Sequence, residues 1–214
     1  MPTFVELRKL VSRRIQDPNN TAVSVEDVGD TINASIRYWK QKNFWFNEID
    51  EQVTVVANNP VLPSATVPVL YLFKDDGLTL YDQSYRYVLR HISPSEYDRV
   101  DIGGIGRPSY YTYRAGAYYL YFYPMQSYPV RIHGIRDYVD LADDDDTNDF
   151  TNLADRLIMY DAMSRIYAEF RQDTESAAIF SAAADVEYNN LKSRTDENVT
   201  TGRMTVENSF GGYC

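Results

Sequence analysis

The chain has 214 residues, enough for one domain or a domain with an inserted module, and its 44% hydrophobic and 24% charged content is that of an ordinary globular protein. Its net charge of −10 argues against a surface that grips a nucleic acid backbone, though not against a wall that DNA passes without sticking. A single cysteine, Cys214, excludes a disulfide framework and a cysteine metal cluster, and no apolar run approaches the roughly 18 residues of a membrane span.

The N-terminus opens with "TFVELRKLVSRRI", in which Thr3 and Glu6 have capping-box spacing and Phe4, Leu7, Val11 and Ile15 recur on one helical face. "DPNN" at 17–20 stops that helix. Ser24 caps a second one, whose buried stripe is Val28, Ile32, Ile36 and Trp39, running to about Lys42. The aromatic knot "NFWFNE" (43–48) follows, and from Gln52 the pattern turns to strands. "VTVVA" (53–57), "VPVLYLF" (67–73) and "YRYVLRHI" (85–92) are rich in β-branched and aromatic residues and are punctuated by Pro60, Pro63 and "DDG". Ser93, Pro94 and Glu96 mark a short capped helix, and "GGIGRP" (103–108) a loop.

Three strands are expected next as a meander, over 109–114, 117–123 and 128–136, the first turn built on Ala115-Gly116. Of the chain's 19 tyrosines, nine lie between Tyr110 and Tyr138. In "RAGAYYLYFYP" neither strand face carries a charge. Tyr118, Leu120 and Phe122 are assigned to the sheet's own core. Ala117, Tyr119, Tyr121 and Tyr123 face either a second layer of the same domain or a neighbouring subunit.

After "LADDDDTND" the helical period returns. Leu153, Leu157, Tyr160 and Tyr167 form one face over 150–170. An alanine-rich helix spans 174–194, with Ile179, Ala183, Val186 and Leu191 expected inward. Beyond Thr195 the chain is polar and has no helical stripe. The fold class expected is α+β: a four-helix bundle-like core made by the N-terminal pair (1–48) and the C-terminal pair (148–195), an inserted antiparallel β domain (49–147) and an extended C-terminal tail (196–214). Neither helix pair has the apolar surface to stand alone.

No constellation for catalysis emerges, and no catalytic, cofactor-binding or metal residue is assigned. "GGIGR" fits neither a dinucleotide fingerprint nor a P-loop. His91 and His133 fall in strands. The run Asp143 to Asp146 lacks the glycine and distal glutamate of a calcium loop and reads as a solvated acidic loop before a helix N-terminus. "NNT" (19–21) and "NVT" (198–200) fit the glycosylation pattern but, with no signal peptide ahead of them, read as chance in a soluble intracellular chain.

The capped opening helices ending in "NFWFNE", the strands "GRPSYYTYR", "YYLYFYP" and "YPVRIHGI", and the acidic stretch before "LADRLIMYDAMSRIYAEF" together resemble the head-to-tail adaptor (connector) proteins of tailed bacteriophages, over nearly the full chain. The resemblance implies a structural virion protein at the neck, assembled in the host cytoplasm, without enzymatic turnover or cofactor. It would form a homo-oligomeric ring of twelve subunits under the portal protein, surround the exit channel for genomic DNA without binding it specifically, and offer a platform to a tail or nozzle protein, with no membrane partner.

That implication singles out two groups of residues. Ala178 and Ala182, on a helix suited to close packing between copies as well as within one, join Tyr119, Tyr121 and Tyr123 as subunit-interface candidates. Met204, Val206, Phe210 and Tyr213 are the sparse anchors of a C-terminal arm that would order on the portal. The alternative class is a tail or baseplate binding module whose tyrosine-rich sheet meets glycan or protein.

Overall fold

The computed structural model describes residues 2–66, 68–99 and 104–209, of which the last stretch from 199 is described by its backbone alone. The protein is mixed α+β and divides into two compact units, 1–47 with 138–214, and 48–137.

In the first unit, α1 (Phe4–Arg14) starts at a capping box in which Thr3 and Glu6 satisfy each other's backbone N–H groups. α2 (Val25–Trp39) starts at Ser24, whose hydroxyl accepts from the Asp27 amide. The stripes read from sequence are the ones buried: Phe4, Leu7, Val11 and Ile15, then Val28, Ile32, Ile36 and Trp39. Between these helices Asp17 is buried, and its two carboxylate oxygens accept from the amides of Thr21, Ala22 and Val23 and from the Thr21 hydroxyl. Those bonds outweigh the burial that opposes them and hold its pKa down at about 2.

α4 (Asp149–Leu153) and α5 (Asp155–Glu169) are separated at Ala154. The break turns Leu153 to solvent, so it does not share a face with Leu157 as expected. α5 packs on α6 (Thr174–Ser209), α2 and α1 through Leu157, Ile158, Ala162, Met163 and Ile166.

Two boundaries differ from the sequence expectation. The stretch 138–147 belongs to this helical unit and not to the insertion: Asn33 of α2 donates to the Leu141 carbonyl and accepts from its amide, Lys40 donates to the Tyr138 carbonyl, and Arg37 meets Asp140. And 196–209 is not an extended tail but the continuation of α6. Propagating a helix already nucleated needs no new buried stripe, which is why a polar sequence can follow it.

The second unit holds β1 (Glu48–Val55), β2 (Val69–Leu72), β3 (Leu78–Asp82), β4 (Tyr85–Val88), β5 (Arg90–His91), α3 (Pro94–Tyr97), β6 (Ile105–Gly106), β7 (Tyr110–Arg114), β8 (Ala117–Tyr121), β9 (Tyr123–Pro124) and β10 (Tyr128–Arg136). The expected three-strand meander is corrected. β7 and β8 form a hairpin over Ala115-Gly116, both with positive φ, in a separate sheet ordered β5-β7-β8. β10 instead lies inside a five-stranded sheet, antiparallel to β1 on one side and to β3 and β2 on the other. Gly134 makes the β2 approach possible, since a Cβ there would sit 2.3 Å from the Tyr71 carbonyl oxygen. The core of this unit is Val55, Leu62, Leu78, Leu80, Leu89, Tyr111, Leu120, Tyr128, Val130 and Ile132.

Candidate interaction surfaces

The tyrosine strand has a covered side within its own chain. On one face Leu120 is fully buried and Tyr118 packs against the same core, where burial pushes its phenol up to about 12. Phe122 does not continue that face. The strand ends at Tyr121, Phe122 stacks on Tyr121 with ring centroids 4.4 Å apart, and the chain resumes as β9 beside β6.

On the other face, Tyr119 and Tyr121 meet the ring of Tyr97 at 6.5 and 6.3 Å. Tyr97 closes α3, the short helix that a Ser93–Glu96 capping box starts, and its ring is itself buried. Its hydroxyl donates to the Leu120 carbonyl at 3.3 Å, and the Arg114 guanidinium lies over both Tyr97 and Tyr119. The second layer is therefore α3 of the same chain, and Tyr119, Tyr121 and Tyr123 are half-buried.

The alanine-rich helix behaves in the opposite way. α6 turns Ala177, Ala184, Leu191 and Thr195 inward, with Phe180 and Tyr188 packed beside them. Ile179 and Val186, expected inward, are 60% and 59% exposed. The small residues at 177 and 184 take the seat against α5, because an alanine allows closer approach of the two helices than a branched side chain. Ala178, Ile179, Ala182 and Val186 then form an exposed apolar stripe at helical spacing.

Thr195 is the last inward residue described; its hydroxyl accepts from the Trp45 amide and donates to the Leu191 carbonyl. Past it, 196–209 add about 21 Å of helix at 1.5 Å per residue. Met204 and Val206 lie on that helical backbone. Phe210 and Tyr213 lie outside the described residues.

The histidines and the acidic run are the chemical candidates. His91 is exposed, its ring 5.3 Å from that of Tyr111. His133 sits on β10 between two carboxylates, with Nδ1 2.9 Å from Asp76 Oδ1 and Nε2 2.5 Å from Glu48 Oε1. Next to it Arg131 grips Asp50 with two N–H groups and holds that carboxyl below its usual pKa. Both ring nitrogens of His133 are within hydrogen-bond distance of carboxylates, which holds the ring in place. The cluster braces β1, β10 and the turn after β2.

In the acidic run, Asp146 accepts from the Ala142 and Asp143 amides, which lower its pKa, and Asp144 pairs with Arg8. Among the described residues no group of three or more acidic, histidine or cysteine side chains is arranged to hold a metal ion. None of the described helices is long and apolar enough to cross a membrane.

Two features escaped sequence reading, and each had a signal. Tyr97 as the cover of the tyrosine strand was marked by its capping box. The outward phase of Ile179 and Val186 was marked by the seven-residue spacing of Ala177, Ala184 and Leu191.

No curated protein matches the chain. The family model described as SU10 adaptor protein matches residues 2–206, which takes in both units and most of α6. The chain belongs to the SU10 adaptor protein family.

Proposed function

We propose that the protein is a structural head-to-tail adaptor of a tailed-phage virion. Copies of the chain form a ring of twelve under the portal protein, line the DNA exit channel at the neck and give a tail or nozzle protein its docking platform. The protein performs no turnover. The observation that carries this reading is the family match over residues 2–206.

The outward stripe of α6 supports it, since Ile179 and Val186 stand exposed on a helix whose inward side is already satisfied. Small residues beside them, Ala178 and Ala182, permit close approach of another helix. The net charge of −10 fits a channel wall that sheds DNA, because an acidic surface has too few lysines and arginines to displace the cations condensed on the phosphates.

Co-expression with the portal protein, followed by pull-down and negative-stain microscopy, tests the proposal. The expected result is a ring bound to portal. Failure of the two proteins to associate would contradict it.

A further inference from the structure

β4 is the outermost strand of the five-stranded sheet, and among the described residues no strand pairs with its outer edge. Beside it, Arg90 of β5 and residues 107–110 wall a cleft of about 460 Å³. Three arginines line that cleft, Arg86, Arg90 and Arg107, and all three are exposed.

Five arginines elsewhere are met by carboxylates at close range: Arg8 by Asp144, Arg37 by Asp140, Arg114 by Asp98, Arg131 by Asp50 and Arg165 by Asp161. In the cleft Arg90 and Arg107 are not. Arg86 reaches Asp76 only at 3.8 Å, with half of its side chain exposed. No carboxylate of the described residues stands within ion-pair distance of Arg90 or Arg107. The Arg107 guanidinium lies 3.6 Å over the Tyr87 ring, which fixes its plane and leaves its N–H edge for a ligand. Three converging cations in a chain with a net charge of −10 make a local field of the opposite sign, focused by the cleft.

We infer that this cleft docks an extended acidic segment of a partner protein, its carboxylates on Arg86, Arg90 and Arg107 and its main chain added to the open edge of β4. The cleft holds only a few residues, which suits a short segment. A DNA duplex carries a charge about every 1.7 Å of its axis and would extend past the three arginines of a chain whose net charge is −10. The inference uses neither the ring nor the α6 stripe.

Fluorescence anisotropy on the full-length protein tests it, with a labelled peptide of alternating Asp and Val, the same peptide N-methylated at every residue, and a short DNA duplex. The Asp-Val peptide is expected to bind, to weaken as salt rises, and to weaken about tenfold or more in Arg90→Gln/Arg107→Gln. Arg90→Glu/Arg107→Glu should abolish binding. Where circular dichroism shows that the charge reversal has unfolded the protein, the glutamine variant decides alone.

The N-methylated peptide offers β4 no N–H on either edge and should bind more weakly; equal binding would overturn the strand addition. Absence of Asp-Val binding, or binding that the glutamine variant leaves unchanged, overturns the site. Tighter binding of the duplex through the same arginines overturns the protein partner.

Discussion

The tyrosine face of β8 and the outer face of α6 make an instructive pair. The tyrosine face is the more conspicuous in sequence, with large rings and no charge, yet its own chain covers it: Tyr97 lies against Tyr119 and Tyr121, and Arg114 lies over Tyr97 and Tyr119. The α6 face has the spacing of a core stripe, yet Ile179 and Val186 stand in solvent while alanines take the inward seat. Abundance of apolar side chains thus does not locate an unsatisfied surface. What locates it is whether another element of the chain arrives to cover it.

Removing the cover from the tyrosine face has the largest expected effect. Tyr97→Ala empties a buried aromatic site and should cost roughly 3–5 kcal/mol, the usual range for an aromatic-to-alanine change in a core. Thermal unfolding followed by circular dichroism should show a fall in Tm of roughly 10 °C. A change of a degree or two would mean that Tyr97 is a lid resting on the strand and not part of its packing.

A smaller effect is expected at Asp17, in the unit that carries α6. Asparagine keeps one acceptor oxygen and presents an NH₂ group to amides that now donate to a carboxylate, so Asp17→Asn should lower Tm by several degrees at neutral pH. The Asp17 pKa is lowered from 3.8 to about 2 in the folded state. Its contribution is therefore fully present above about 4 and is lost as pH falls through 2. The gap between wild type and variant should close over that window; a gap that persists at pH 2 would place the effect in packing.

The smallest change in stability belongs to the α6 face. Ile179→Ser/Val186→Ser should shift stability by no more than about 0.5 kcal/mol, as exposed sites do, and Tm by about 2 °C at most. The contrast with Tyr97→Ala would be broken by a large loss of Tm here, which would make the α6 stripe a part of the fold.

Features set by local chemistry were legible in the sequence. The capping boxes at Thr3 and Ser93, the stripes Phe4-Leu7-Val11-Ile15 and Val28-Ile32-Ile36-Trp39, and the Ala115-Gly116 turn each depend on residues a few positions apart. Features set by distant partners were not. β10 reads as the third strand of a meander because nothing within "YPVRIHGI" says that β1, β2 and β3 flank it. β3 is short and follows "DDG", and no strand is expected from the sequence over Leu78–Asp82.

The phase of α6 is hidden because hydrophobicity weights Ile and Val over Ala, whereas the inward seat on α5 is filled by Ala177 and Ala184. The interface candidates inherit that division. Ala178 and Ala182 lie exposed beside the branched residues expected inside, and Tyr119, Tyr121 and Tyr123 lie half-buried.

The proposal that copies of this chain meet through the outward face of α6 is tested most directly by mass photometry of the protein co-expressed with portal. Wild type and Tyr119→Phe should give the mass of a ring on portal. Ile179→Ser/Val186→Ser, folded and of unchanged Tm, should give portal without the ring. An intact ring in that variant would contradict the claim.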